Sequence, residues 1–359
     1  MQEFFAVNDL SNEVVAAGVS GGADSLALVL RLKKYCKKVV ALTVDHGLRP
    51  SSRQEAQYVA ELMRKAGIEH HILIWEGEKP SSDIEAIARD ARYGLLCDWC
   101  HKNEIKYLAV GHHLRDQAET FLLRLQRGSG LSGLCAMLPI TQRGGISIIR
   151  PQLYDNPDDL RQYLKQENIK WVEDESNYCD DFMRVKIRNF LPDLAAKIGL
   201  SELRLAETAK VLQRTRTYFE YEVEKRIKNQ VRKIGDKIFA FSKATVAECH
   251  EEIAYRLLEN LLRQCSEKTY APEADEILRL LRVLLQDDFR GCTLNGCEIV
   301  VARNRIWLIP EVKKQQVLTK AEWDRCLQFV PSYAKANLPY KVRRALYNQF
   351  MRNENGQEN

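Results

Sequence analysis

Between residues 13 and 151 the apolar positions follow two alternating rhythms. Short runs rich in Val, Ile and Leu at 14–18, 39–45, 71–75, 107–111 and 147–151 predict strands, since runs of that length bounded by polar turns suit a sheet buried on both faces. Residues 52–66, 83–102 and 116–126 instead place apolar side chains three and four apart, the spacing of one helix face, and a further apolar helix starts near Leu26. Strands joined by helical crossovers form a parallel sheet, so the expected fold is α/β, a doubly wound parallel sheet. Near residues 191–200 the rhythm changes. A long charged helix is expected over 202–231, then helices at 251–265 and 273–285 and short strands at 291–294, 297–303 and 305–309. This second part reads as a smaller, mainly helical α+β domain. Beyond it charge, Pro and isolated aromatics alternate, and 353–359 is polar enough for disorder. The expected division is therefore 1–200, 201–312 and 313–359, without internal repeats.

Charge refines this picture only locally. The formal net charge is +5, from 54 basic and 49 acidic residues, so a nucleic-acid surface must come from clustering. The densest basic stretch holds Lys225, Arg226, Lys228, Arg232 and Lys233, with Arg184 and Arg188 upstream. It fits phosphate tracking and a solvated helix face equally well. Ten cysteines, no charged-then-apolar leader in residues 1–10 and no apolar run near the roughly 20 residues of a membrane span place the expected chain in the cytoplasm, away from membranes. Cys97, Cys100 and His101 spell a haem-attachment motif, but inside a predicted helix and without a second suitable Cys pair they read as structural.

The sharpest chemical signal is Ser20-Gly21-Gly22-Ala23-Asp24-Ser25, between the first strand and the first helix. Two glycines let backbone N–H groups crowd an anion, and the helix N-terminus adds partial positive charge. Ser20 and Ser25 add hydroxyls, and Asp24 suits a magnesium ion bridging phosphate oxygens. The same six residues also fit a plain connection with Ser25 as an N-cap. No Walker lysine motif and no dinucleotide-binding glycine fingerprint occurs after the first strand.

The hexapeptide resembles the signature of the N-type ATP pyrophosphatases, the PP-loop family, which split ATP into AMP and pyrophosphate. Further stretches narrow the likeness: Val44-Asp45-His46-Gly47-Leu48-Arg49, Ala91-Arg92-Tyr93, Gly111-His112-His113, Asp116-Gln117-Ala118-Glu119-Thr120 and Arg127-Gly128-Ser129-Gly130 resemble the lysidine synthetases in the same order. The likeness is close from Val14 to Leu194 and looser at Thr293-Leu294-Asn295-Gly296-Cys297. It implies an adenine nucleotide alpha hydrolase-like fold, ATP on Ser20–Ser25 with Mg2+ on Asp24, and two further substrates: a tRNA(Ile) with a CAU anticodon and free L-lysine. A homodimer is an open alternative to a monomer.

By that likeness Asp24, Asp116, Glu119 and Arg184 are the catalytic set. Asp116 and Glu119 lie three apart, hence on one helix face, and meet the cytosine edge and the lysine ammonium; Arg184 meets tRNA or the activated intermediate. His46 and Arg49 end the second strand where nucleotides bind in open α/β sheets, and of His112 and His113, placed at the end of the fourth strand with opposite orientations, His112 is assigned to phosphate. Two rivals remain. A tRNA thiolase of the 2-thiocytidine type shares the loop, although Ala23 stands where such enzymes carry Lys. An inactive tRNA-binding relative is motivated by Arg115, in place of an acid, and by Val185 and Lys186, in place of Asn-Arg.

Overall fold

The central strand shows why the chain folds as it does. In a computed structural model, β1 (Val14–Gly18) turns Val15 and Ala17 into one apolar layer and Ala16 into another, all fully buried. A strand covered on both faces has no use for polar alternation. The structure describes residues 1–47, 52–76, 84–173, 183–266, 268, 272–302, 305–311, 317–329, 333 and 338–355. Arg49, Asp83 and Arg303, which the sequence reading assigned to a site or an element end, lie outside the described residues.

The first of two units spans Met1–Arg216. In chain order it holds α1 (Gln2–Val7), β1, α2 (Ala23–Leu32), β2 (Lys38–Asp45), α3 (Ser52–Ala66), β3 (Glu69–Ile74), α4 (Ile84–Lys102), β4 (Tyr107–Ala109), α5 (Leu114–Gln126), α6 (Leu131–Leu134), β5 (Ile140–Arg143), β6 (Ile146–Ile149), α7 (Pro157–Gln166) and α8 (Met183–Ile198). The sheet order is β3-β2-β1-β4-β6-β5, parallel except for β5, which pairs antiparallel with β6. Leu26, Leu28, Val59, Leu160 and Leu164 from α2, α3 and α7 pack on one face; Tyr93, Leu96, Cys97 and Cys100 from α4 pack on the other with Val40, Leu42, Leu108 and Ile148. Helices on both faces make this a doubly wound α/β domain. A third layer joins Ala118 and Phe121 of α5 to Leu191 of α8 and to Leu205 and Ala209 of α9 (Glu202–Gln230).

The strand order has one consequence for function. The chain adds β2 and β3 on one side of β1 and then crosses back to add β4 on the other. The loops leaving the C-terminal ends of β1 and β4 diverge there, opening the crevice in which such sheets bind ligands. β4 ends at Ala109, two residues earlier than expected.

The second unit, Thr217–Asn359, begins within α9. After α9 come β7 (Arg232–Ile234), β8 (Ile238–Phe241), α10 (Ala244–Ala247), α11 (Glu251–Cys265), α12 (Ala274–Leu284), β9 (Gly291–Leu294), β10 (Cys297–Ala302), β11 (Arg305–Pro310), α13 (Lys320–Phe329) and α14 (Tyr340–Asn355). Its five strands run antiparallel in the order β7-β8-β11-β10-β9. α11 and α12 cover one face through Leu257, Leu261 and Leu281; α13 and α14 cover the other through Cys326, Val342 and Leu346. β7 and β8 were not foreseen. Ile238-Phe239-Ala240-Phe241 is buried on both faces and shows no alternation to betray a strand. Among the described residues no helix is long and apolar enough to cross a membrane.

Candidate active site

Between β1 and α2 the backbone turns sharply at Gly21, whose φ is +88°. A β-carbon there would meet Val59 at 3.2 Å as well as adopt a strained dihedral. Gly22 N-caps α2 with no side-chain cap of its own. The helix therefore opens with first-turn N–H groups that intrahelical bonding cannot satisfy. Ser20 and Ser25 lace the turn together: Ser20 N donates to Ser25 Oγ at 3.1 Å, the two hydroxyls lie 3.2 Å apart, and Ser25 Oγ donates to Gly22 O at 3.0 Å. Val172 N also donates to Gly21 O at 2.9 Å. These hydrogen bonds fix the shape of the loop, and its glycines let the backbone pass close to Val59 and Val172.

A second layer holds the loop against β4. Gly111 passes so close that a β-carbon would lie 3.1 Å from the carbonyl of Asp24 and from Ser25 N. Fully buried Gln152 donates to Asp24 O at 2.9 Å and to Gly111 O at 3.2 Å, bridging the two diverging loops. As a lone glutamine, Gln152 carries no motif by which the sequence could mark it.

From β4 the chain enters α5 through His113, its N-cap in extended conformation. His113 N donates to Asp116 Oδ2 at 3.0 Å. Its ring, 7% exposed, places Nε2 3.4 Å from Asp24 Oδ2 and Nδ1 3.6 Å from Asp116 Oδ2. Burial works against charge on this imidazole, yet Asp116, Asp24 and Glu119 together raise its proton affinity above the usual histidine value. His112 behaves oppositely. Burial, with Arg150, Arg89 and Arg184 nearby, outweighs Asp116 and pushes its pKa down to about 3. Because both rings lie beyond the strand end, the expectation that adjacent residues face opposite ways does not govern them; both act on Asp116.

Asp116 and Glu119 share one face of α5, as their spacing predicts, and two arginines of α8 span them. Arg184 donates through Nη2 to Asp116 Oδ1 at 2.6 Å and through Nε to Glu119 Oε2 at 2.5 Å; Arg188 Nε reaches Glu119 Oε1 at 2.7 Å. Burial alone would raise the Asp116 carboxyl, but His113, His112 and Arg184 overcome it and hold it at about 2. Glu119 is fully buried, and these two arginines offset its removal from water. Arg188 was expected only as a tRNA contact; the fold gives it a grip on Glu119 as well.

The remaining predicted residues are placed as follows. His46 follows β2 and meets Trp75 edge to face, ring centroids 5.8 Å apart. Beside it Asp45 Oδ1 accepts from Ser52 Oγ at 2.7 Å and from Gly47 N at 2.9 Å, which lowers its pKa. Arg115 pairs with Glu202 at 2.7 Å, joining α5 to α9, and Val185 is buried. Arg115 and Val185 thus have structural roles, whereas Lys186 is exposed. Cys97 and Cys100 are core residues under α4, and burial pushes the Cys100 thiol up to about 12.

The site fits a nucleotide triphosphate and its counterion on two observations. The loop is a glycine-lined cradle at a helix N-terminus, and Asp24 Oδ1 is buried with no hydrogen-bond partner among the described residues. An acidic oxygen left bare beside a phosphate cradle suits a hard divalent cation.

Comparison with known proteins agrees with this geometry. The PP-loop domain family matches residues 1–194. The tRNA(Ile)-lysidine synthase of Wolbachia pipientis wMel is 37% identical over 322 residues, covering 86% of this chain and 73% of that protein. The tRNA(Ile)-lysidine synthase of Ruegeria pomeroyi is 35% identical over 317 residues, covering 86% and 75%. Among solved structures, the U34-tRNA thiolase NcsA from Methanococcus maripaludis aligns with a TM-score of 0.49 and 20% identity, over 57% of this chain and 73% of that one. With a phosphate cradle at the switch point of its sheet and relatives of this identity along most of its length, the chain belongs to the PP-loop tRNA(Ile)-lysidine synthases.

Proposed function

We propose that this protein ligates lysine to the 2-carbon of the wobble cytidine of CAU-anticodon tRNA(Ile), consuming ATP and releasing AMP and pyrophosphate. The observation that carries the reading is the continuous line from Asp24 through His113 to Asp116, Arg184 and Glu119, which joins a triphosphate cradle to a paired acid site within one crevice. ATP lies on Ser20–Ser25, its leaving pyrophosphate stabilised by backbone donors. Magnesium, when bound, neutralises charge on the phosphates, and Asp24 is the residue that would hold it. The cytidine 2-carbonyl oxygen attacks the α-phosphorus and pyrophosphate departs. The lysine amine then attacks the ring carbon, losing a proton, and the carbon–oxygen bond to AMP breaks.

Lysine is mostly protonated near neutral pH, with a pKa of about 10.4, so a base must take its proton. Asp116 is too weak a base to hold that proton for long, given a carboxyl held at about 2. Its role is to fix the ammonium and, with Arg184, the base edge. The His112 imidazole, held at about 3, is no stronger a base, so the acid pair orders a water that carries the proton away.

Residues 1–200 are proposed as the catalytic domain, 201–312 as linker and tRNA-binding domain, and 313–359 as an extension. The proposed setting is the cytoplasm; a homodimer is open to light scattering. Mass spectrometry of nucleosides from tRNA incubated with the protein, ATP and labelled lysine tests the reaction: a lysine-labelled cytidine is expected, and its absence rejects the reading. In the Asp24→Ala variant, pyrophosphate release should vanish while tRNA binding survives; turnover at the wild-type rate would move the triphosphate site elsewhere.

A further inference from the structure

Beside the catalytic crevice, at the β5 edge of the sheet, lies a cavity of about 340 Å³ whose lining includes Arg89, Tyr93, Thr141, Arg143 and Arg150. Arg89 and Tyr93 are one helical turn apart on α4, with Arg92 between them on the same side of the turn. Thr141 and Arg143 alternate onto one face of β5, and Arg150 follows β6. Three guanidiniums crowd one ring: those of Arg89, Arg92 and Arg143 lie 5.6, 5.7 and 4.9 Å from the Tyr93 centroid.

Four arginines in one place need negative charge, and the protein supplies little. The cluster's ion pair among the described residues is Arg143 with Asp90, at 3.2 Å. Arg150 is 9% exposed; its Nη1 donates to Leu138 O at 2.8 Å and Thr141 Oγ1 at 3.1 Å, but its Nε is buried with no hydrogen-bond partner among the described residues. Burial depresses the proton affinity of both Arg92 and Arg150, the sign of cations held out of water without full compensation. Arginine forks of this kind match phosphate oxygens.

The cavity also adjoins the chemistry. Arg150 and Arg89 both act on His112, and Gln152, two residues beyond Arg150, braces the loop of Asp24. It is separate from the ATP cradle, since β6 lies two strands from β1, about 10 Å away. A stacked base is a poor occupant, because Tyr93 is 5% exposed and its ring is crowded by guanidiniums.

We propose that this arginine pocket seats a backbone phosphate of the RNA substrate, next to the nucleotide that enters the catalytic crevice. The choice of RNA rests on the lysidine reading; the phosphate chemistry rests on the pocket alone. Holding the flanking phosphate fixes the register of the flexible single strand, so that one nucleotide reaches the acid pair.

The test measures binding of a CAU anticodon stem-loop RNA by fluorescence anisotropy between about 50 and 200 mM salt. Arg89→Ala and Arg143→Ala change exposed side chains and should each weaken binding about three- to fivefold and reduce the magnitude of the log–log salt slope by about 0.7 to 0.9. Arg143→Lys, which keeps the charge, should retain the wild-type slope. Unchanged affinity and slope in both alanine variants, or a wild-type protein that does not bind the RNA, overturns the proposal. Altered inhibition by inorganic pyrophosphate with wild-type RNA affinity also overturns it, in favour of a small-anion site. The lysidine reading fails separately: RNA that binds with these slopes but yields no lysine-labelled cytidine leaves the phosphate pocket standing.

Discussion

His113 shows how much one residue can join. Its ring stands between Asp24 of the cradle and Asp116 of the acid pair, and its pKa is raised above the usual value of 6.5. An elevated histidine pKa stabilises the fold fully below the unfolded value of about 6.5, and that contribution disappears as pH rises through the folded value. Thermal midpoints of the wild type should therefore fall more steeply above pH of about 6.5 than those of His113→Gln; parallel curves would refute the coupling. Arg188→Ala makes a second residue-scale prediction. Severing a buried pair costs about 3–5 kcal/mol. Here Arg184 remains on Glu119 and Arg188 is 31% exposed, so a loss of about 1–3 kcal/mol is expected by denaturant unfolding. Neither role was legible beforehand. His112 and His113 are indistinguishable as letters, and only the end of β4 at Ala109 and the start of α5 decide which ring faces Asp24.

At the scale of elements, several boundaries were readable because they obey local rules, whereas α2 and α5 start earlier than their apolar rhythm suggested, at Ala23 and Leu114. β1, α3 and α11 begin and end where apolar rhythm and turn residues put them. Gly128, at φ +66°, closes α5 just after its C-cap, Arg127. In the Asp116–Thr120 stretch, Gln117 serves packing rather than chemistry: fully buried, it exchanges hydrogen bonds with Met137 at 2.9 and 2.8 Å. Gly111 is the element-scale prediction. A β-carbon at 3.1 Å from Asp24 and Ser25 backbone must displace the loop, so Gly111→Ala should raise the KM for ATP about tenfold, measured by pyrophosphate release. A KM within twofold of wild type would show that the cradle tolerates the shift. β5 was missed for an instructive reason: Ile140-Thr141-Gln142-Arg143 is half exposed at a sheet edge and too short for an alternating pattern to stand out.

For the molecule as a whole, two units carry separate sheets, one parallel-dominated and one antiparallel. The basic stretch of α9 belongs to the second unit by this division, and there Arg226 is partly occupied, donating to Thr245 O at 3.1 Å. Lys225 is 55% exposed on its side chain, pairs with Glu222 at 3.8 Å and lies over the Tyr221 ring, 5.9 Å from its centroid. If α9 tracks tRNA phosphates, charge reversal at Lys225 and Lys228 should weaken tRNA binding and flatten its salt dependence by about 0.7 to 0.9 per lost contact; unchanged affinity and slope would reject the contact.

The sequence by itself determined the kinds of element, the position of the glycine turn before α2 and the shared helix face of Asp116 and Glu119, because each rests on residues within a few positions of one another. The alternation of apolar runs, the two glycines before α2 and the three-residue step from Asp116 to Glu119 are local facts. What only the tertiary structure decided was which distant groups share a charge: Arg184 and Arg188 with Glu119, His113 with Asp24, Gln152 with two loops, and four arginines around Tyr93. Those pairings arise from the order of strands in the sheet, and strand order follows from how whole faces bury together rather than from any neighbouring letters.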